Sequence, residues 1–300
     1  MNIARNNLIF AITFVSALVG GTPLAGERID QTLDVPAAGT VSIENLAGSV
    51  TVSVWDRNAI RVEGELDDRV ERLEFENDGS FTRIKVIYPH QRGGDVDGTH
   101  LDITVPAASR LEIDGVSSEV DVHGVTGRVR VDTISGDISA DGAASEYALE
   151  SISGNIRLQG TGDDARIKAA TISGDIRLGN AQGELEVSSV SGNVQVSDSA
   201  FTRIEAANTS GDIDITGKFA DGGTFRFKSI SGDVTLRFVE APSGIFDITT
   251  FSGGIDNDFG PEPQRTGKYA PGMELKFREG DAETSFRVNT LSGDISLQKE

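Results

Sequence analysis

A four-residue signature recurs along this chain at nearly one interval, and that interval restricts the fold more than any other feature. The copies are Ser135-Gly136-Asp137-Ile138, Ser153-Gly154-Asn155-Ile156, Ser173-Gly174-Asp175-Ile176, Ser191-Gly192-Asn193-Val194, Ser210-Gly211-Asp212-Ile213, Ser231-Gly232-Asp233-Val234, Ser252-Gly253-Gly254-Ile255 and Ser292-Gly293-Asp294-Ile295. Successive serines lie 18, 20, 18, 19, 21, 21 and 40 residues apart, so the last interval reads as two periods with one signature missing. A repeat of this length marks a stacked array, in which one unit buries its apolar face only against the next.

Around each signature the apolar residues alternate, as in Val129, Val131, Ile138 and Ala140, or Phe225, Phe227, Val234 and Leu236. Period two over short β-branched runs means strands with one buried face. From the first inward residue of a repeat to the last is always 11 positions, for example 129 to 140, 167 to 178 and 286 to 297. Variation in repeat length therefore sits in the connections, such as Gly179 to Glu184, Ser197 to Arg203 and Thr216 to Thr224. These are read as a comb of surface loops, where insertion is thermodynamically cheap.

The turn has a local rationale. A small polar residue (Thr133, Ser151, Thr171, Ser189, Asn208, Ser229, Thr250, Thr290) precedes an apolar one (Ile134, Ile152, Ile172, Val190, Ile230, Phe251, Leu291), with Thr209 the exception. Two adjacent residues cannot both face inward on a straight strand, so the chain bends there. Glycine supplies a backbone conformation barred to other residues, and the Asp or Asn is expected to bond its own backbone in an Asx turn. The pattern predicts an all-β fold, a single-stranded, right-handed, parallel β-helix-like solenoid with about 18–21 residues per coil and coils about 4.8 Å apart.

The ends differ from the array. Arg5 precedes the apolar run Leu8 to Val19, followed by small residues and Pro23, the layout of a secretory signal peptide over residues 1–25. Residues 27–125 read as degenerate N-terminal β coils and a cap, with Leu46-Ala47-Gly48-Ser49-Val50 echoing the signature and Trp55 a packing residue. Residues 126–300 are the repeats proper, with an insert at 257–274 carrying Phe259, Pro261, Pro263, Tyr269 and Pro271. The insert is expected to cover the last coils, because no strand follows Ile295 and Leu297 to pair with the final one; a binding lip is the alternative.

With no cysteine the chain forms no disulfide and carries no lipid-modified cysteine. Its formal charge of −20 repels nucleic acid and anionic lipid. The expectation is an exported, monomeric protein, periplasmic or extracellular, that binds neither nucleic acid nor an anionic membrane directly.

Taken together, the segments Val41-Ser42-Ile43-Glu44-Asn45, Val54-Trp55-Asp56 and Thr290-Leu291-Ser292-Gly293-Asp294-Ile295, with the repeated Ser-Gly-Asp or Ser-Gly-Asn turns, resemble the bacterial putative adhesin family. The resemblance covers nearly the whole chain and implies a noncatalytic exported β-solenoid. The family motif is a turn rather than a site, so it specifies fold more closely than activity.

Candidate chemistry is sparse. Asp137, Asn155, Asp175, Asn193, Asp212 and Asp233 should stack along one edge, where they serve either the turn or calcium held between coils. Turn structure is the preferred reading, since the glycine-rich nonapeptide of calcium-binding β-rolls is missing. Asp95-Val96-Asp97-Gly98 opens like a calcium loop but lacks its ligand spacing, and reads as an acidic loop. His90, His100 and His123 are not spaced as a zinc site. No catalytic, cofactor or metal residue is therefore assigned, no cofactor is expected, and the chain is read as a non-enzyme.

The function expected is an adhesion-type or scaffold protein of the cell envelope that holds a protein or glycan. A regulatory envelope-stress protein binding a membrane partner and a polysaccharide-active β-helix enzyme are the alternatives.

Overall fold

The computed structural model describes residues 26–89, 98–267 and 271–300, so the leader segment, His90, Asp95 to Asp97 and Tyr269 lie outside the described residues. Every regular element among the described residues is a β-strand. The N-terminal strands are β1 (Arg28–Asp34), β2 (Thr40–Trp55), β3 (Ala59–Glu65), β4 (Arg72–Asp78), β5 (Phe81–Ile87), β6 (Thr99–Pro106) and β7 (Arg110–His123). The array continues with β8 (Arg128–Ser135), β9 (Ile138–Asp141), β10 (Glu146–Ser153), β11 (Ile156–Gln159), β12 (Ala165–Ser173), β13 (Ile176–Gly179), β14 (Gln182–Ser191), β15 (Val194–Ser210), β16 (Ile213–Ser231) and β17 (Val234–Phe238). The last strands are β18 (Gly244–Ser252), β19 (Ile255–Asn257), β20 (Gln264–Arg265), β21 (Met273–Glu279), β22 (Ser285–Ser292) and β23 (Ile295–Lys299).

Within the array each coil pairs in parallel with the next, and the signature serines fall in register: Ser135 opposite Ser153, Ser153 opposite Ser173, Ser173 opposite Ser191. The alternating residues face inward as their pattern demands. Val129, Val131, Ile138, Ala140, Ile167 and Leu158 are at most 2% exposed, and they belong to one continuous core. Such a core is assembled only between coils, which is why a single repeat has no fold of its own.

The connections depart from the expected comb of loops. β15 runs through Ser197 to Arg203 and β16 through Thr216 to Thr224, and these stretches pair with each other, Ser199 with Gly217 and Phe201 with Phe219. Connections also add to the core, through the buried side chains of Val125, Ala144, Ala181 and Phe201. A polar turn exposed on all sides has no reason to stay extended, whereas one with an inward apolar residue gains by joining the ladder.

Order along the stack differs from order along the chain at both ends. β2 lies between β7 on one side and β5 with β6 on the other, all parallel to it. At the far end β22 and β23 pair with β16 and β17 on one side and with β18 and β19 on the other. Hence the first coil in sequence stands second in space, and the last coil in sequence stands second from the opposite end. The interval of 40 residues between Ser252 and Ser292 is thus not two periods of the array. It is an excursion that leaves the outermost coil, forms β20 and β21, and returns beneath it.

The last signature therefore has strands on both sides, contrary to the expectation that its coil is the open end. The true outer coil, β18, is bordered by β21 in antiparallel register, Phe246 opposite Phe277, with β20 antiparallel on β21 in turn. The N-terminal end is closed likewise by antiparallel pairs, β4 on β5, β3 on β6 and β1 on β3. The sheet is consequently mixed: parallel along its length and antiparallel at its borders. Reversing strand direction there presents a short, irregular rim rather than a long template for another chain.

Candidate functional site

The Asp/Asn column occupies the first corner of each coil, immediately after the glycine. Its side chains do not close Asx turns on their own backbone. Each reaches the neighbouring coil instead: Asn155 N–H donates to Asp137 Oδ1 at 2.8 Å, Asp175 N–H to Asn155 Oδ1 at 3.0 Å, and Asn193 N–H to Asp175 Oδ1 at 2.9 Å. The series continues through Asp212, Asp233, Asp294 and Gly254. Both Asp and Asn offer the required acceptor oxygen, which explains why the two types interchange at this position.

A second column stands just inside that corner. Thr171 Oγ1 donates to Gly154 O at 3.2 Å and Asn208 Nδ2 to Gly192 O at 2.8 Å, so these two side chains satisfy carbonyls of signature glycines. The glycines themselves sit against backbone. A Cβ on Gly154 would lie 2.0 Å from Gly136 O, and one on Gly174 would lie 2.1 Å from Gly154 O. Left-handed φ is found at some copies, Gly211 at 123° and Gly232 at 142°, but close approach is the requirement shared by the series.

This geometry gives the acidic column a structural task with a measurable consequence. Asp175→Asn keeps the acceptor and is expected to leave stability within about 0.5 kcal/mol, while Asp175→Ala removes it and should cost about 1 kcal/mol. Millimolar calcium is expected to move the thermal midpoint equally in wild type and Asp175→Asn. A calcium-dependent rise that the substitution removes would instead give the column a metal-binding role.

The other singled-out residues are dispersed. His100 Nδ1 is 2.9 Å from Ser49 Oγ, and His123 Nδ1 is 2.6 Å from Asp141 Oδ2; both pairs are exposed and belong to different coils. Among the described residues no three His, Asp or Glu side chains converge as a metal site. Trp55 donates Nε1–H to Ala59 O at 2.7 Å, with the Arg57 guanidinium 5.2 Å from its ring, so it braces a turn. In the insert, Phe259 packs edge-on against Phe238 at 5.4 Å, tying the excursion to the aromatic end of the core.

One feature of the surface is continuous. The residue preceding each Ser-Gly, like Leu46 and Val116 at the matching positions of the N-terminal coils, points outward, and the register aligns these residues from coil to coil as Leu46, Val116, Ile134, Ile152, Ile172, Val190, Thr209, Ile230, Leu291 and Phe251. Nine of these ten are large hydrophobic side chains, 39% to 60% exposed. A signal for this row exists in the sequence. Residues 129, 131 and 133 share the inward parity, so residue 134 must point out, although within a single repeat that residue accounts for no more than the bend.

Beside the row runs a groove of about 560 Å³ over five coils, from Asp114 to Val190. Ile134, Ile152 and Ile172 form one side, and Asp114, Asp132 and Glu150 the other. Arg130 holds Asp132 at 2.7 Å and Lys168 holds Glu150 at 2.7 Å. Burial first, then the neighbouring Asp132 and Glu44 carboxylates, push the Asp114 carboxyl above its ordinary value.

A family model described as Toastrack DUF4097 matches residues 40–197 and 179–298. Comparison with curated proteins gives no match. Among solved structures, the chain is similar to a putative lipid binding protein from Parabacteroides distasonis at 11% identity, covering 92% of this chain and 97% of that one with a TM-score of 0.53. It is also similar to a putative adhesin from Bacteroides fragilis at 12% identity, covering 90% and 97%, with a TM-score of 0.48. At such identity the likeness concerns the fold alone.

Proposed function

The chain belongs to the Toastrack DUF4097 family, and on that premise we propose that it is a non-catalytic, adhesion-type scaffold of the cell envelope that binds through a lateral face of its stack. The observation that carries this reading is the exposed apolar row. A protein with a formal charge of −20 that keeps nine large hydrophobic side chains aligned in water maintains a surface for contact. The resemblance of the repeated Ser-Gly-Asp and Ser-Gly-Asn turns to the putative adhesin family supports the adhesion-type role. Right-handed winding is supported by the general handedness of parallel crossovers. Export to the periplasm or beyond is supported by Arg5 and the apolar run Leu8 to Val19.

The test is capture from cell-envelope extracts on the immobilised full chain, with a glycan array in parallel and cell fractionation to locate the protein. Retention of a defined envelope protein or glycan is the expected result. Blank results in both assays, a cytoplasmic location, or turnover of an envelope polysaccharide would each overturn the proposal.

A further inference from the structure

The groove beside the apolar row has two unlike sides, and its dimensions restrict what fits there. Its apolar side advances one side chain per coil, about 4.8 Å. Five coils therefore span about 19 Å. An α-helix laid along the stack presents its apolar stripe every turn, about 5.4 Å, and stays near that register over three to four turns. An extended strand presents same-face side chains about 6.6 Å apart and loses register after two coils.

Charge narrows the choice further. Asp114, Asp132 and Glu150 follow one another on three successive coils, and Asp114 makes no ion pair among the described residues. On the other flank of the apolar row stand Asp137, Asp175, Asp212, Asp233 and Asp294, whose side chains accept backbone hydrogen bonds from the neighbouring coil. A second copy of this chain laid on the row would set these carboxylates against its own, in a protein already at −20. An anionic lipid surface meets the same repulsion.

We infer that the groove along Ile134, Ile152 and Ile172 docks an amphipathic α-helix of a partner protein whose apolar stripe is edged by Lys or Arg facing Asp114, the one carboxylate of this side that neither Arg130 nor Lys168 holds. This rests on the binding-scaffold reading and narrows it to one surface and one partner chemistry. A cation beside Asp114 gives the helix edge its place, since it would offset the desolvation of this carboxyl and the like charge of the neighbouring Asp132 and Glu44. The apolar row supplies the contact area, and the acidic side sets which face of the helix turns toward it.

The test uses the full chain and a designed Leu/Lys helix of about 18 residues, long enough to overlap the groove, with two controls: the same helix carrying Glu for Lys, and a scrambled peptide of equal composition. Binding is read by fluorescence anisotropy at low and high salt. The Lys helix should bind at least about tenfold more tightly than either control, and more weakly as salt rises. Ile152→Ser with Ile172→Ser leaves the net charge unchanged and should abolish binding with an unaltered melting curve. Asp114→Asn should weaken binding and flatten its salt dependence.

Equal binding by wild type and the double serine variant would overturn the inference, as would equal binding of the Lys and Glu helices. A dimer in light scattering that the serine variant abolishes would assign the row to a second copy. Uptake onto phosphatidylcholine vesicles that the same variant abolishes would assign it to lipid; either result overturns the helix. If envelope capture persists unchanged in the serine variant, the scaffold reading stands and only this site fails; if wild type captures nothing, the scaffold reading itself fails.

Discussion

Gly174→Ala should destabilise the protein by about 3 kcal/mol or more, well beyond the roughly 1 kcal/mol of an ordinary glycine replacement at an exposed turn. The added Cβ would stand 2.1 Å from the carbonyl oxygen of Gly154 in the coil below. The carbonyl cannot withdraw, because Thr171 Oγ1 bonds it at 3.2 Å, while Gly174 N–H is itself bonded to Ser191 O at 3.1 Å in the coil above. Relief requires that two coils part at the corner, where the core on either side is packed. Gly222 supplies the comparison. Its φ is +74° but nothing lies within 4 Å of an added Cβ, so Gly222→Ala meets only the left-handed strain, about 1–2 kcal/mol. Chemical denaturation of the two variants gives the ordering. Equal losses would mean that conformation, not close approach, is what the signature glycine provides.

That distinction marks the limit of what the sequence reveals about the corner. The recurrence of Ser-Gly-Asp, the alternation at 129, 131, 138 and 140, and the constant 11-residue span together specify strand phase and a parallel stack, since any other phase would turn Val131 or Ile138 into water. The direction of the Asp side chain is not specified. An Asp at a turn finds an amide equally well on its own strand or on the next coil, and only stacking decides in favour of the second. The outward row at Ile134, Ile152 and Ile172 follows from parity alone and is legible in the sequence; its groove is not. The groove depends on small residues such as Ala170 and Ser188 falling beside the row in successive coils, and register supplies that.

The order of coils at the two ends is hidden from the sequence for a different reason. The inward residues Phe286, Val288, Ile295 and Leu297 repeat the phase of every other coil, so the pattern is satisfied at any level of the stack. Position is decided instead by the excursion from Ser252 to Ser292, which is long enough to place β21 on the outer border and bring β22 back inside it. Aromatic content then fixes the arrangement. Phe286 lies stacked against Phe246 at 4.5 Å and Phe225 at 5.1 Å, so it joins coils on both sides of its own.

Phe286→Ala should accordingly cost about 3–5 kcal/mol, the range for deleting a fully buried aromatic ring. The ring is 1% exposed and meets four others, Phe219, Phe225, Phe238 and Phe246, at centroid distances of 4.5 to 5.5 Å. The location of the damage discriminates more sharply than its size. Were β22 the outermost coil, loss of Phe286 would fray the tail and leave β18 protected. Because β22 separates β16 from β18, weakening it loosens the only parallel support β18 has among the described residues and, with it, β21. Hydrogen exchange of the variant is therefore expected to show Gly244–Ser252 and Met273–Glu279 losing protection together with Ser285–Ser292, while Arg128–Ser135 is unchanged. Phe277→Ala, on the cap and only partly buried, should cost less and leave β22 protected. If Gly244–Ser252 keeps its protection when Phe286 is truncated, the last coil in the sequence is also the last in space, and the interleaved order is wrong.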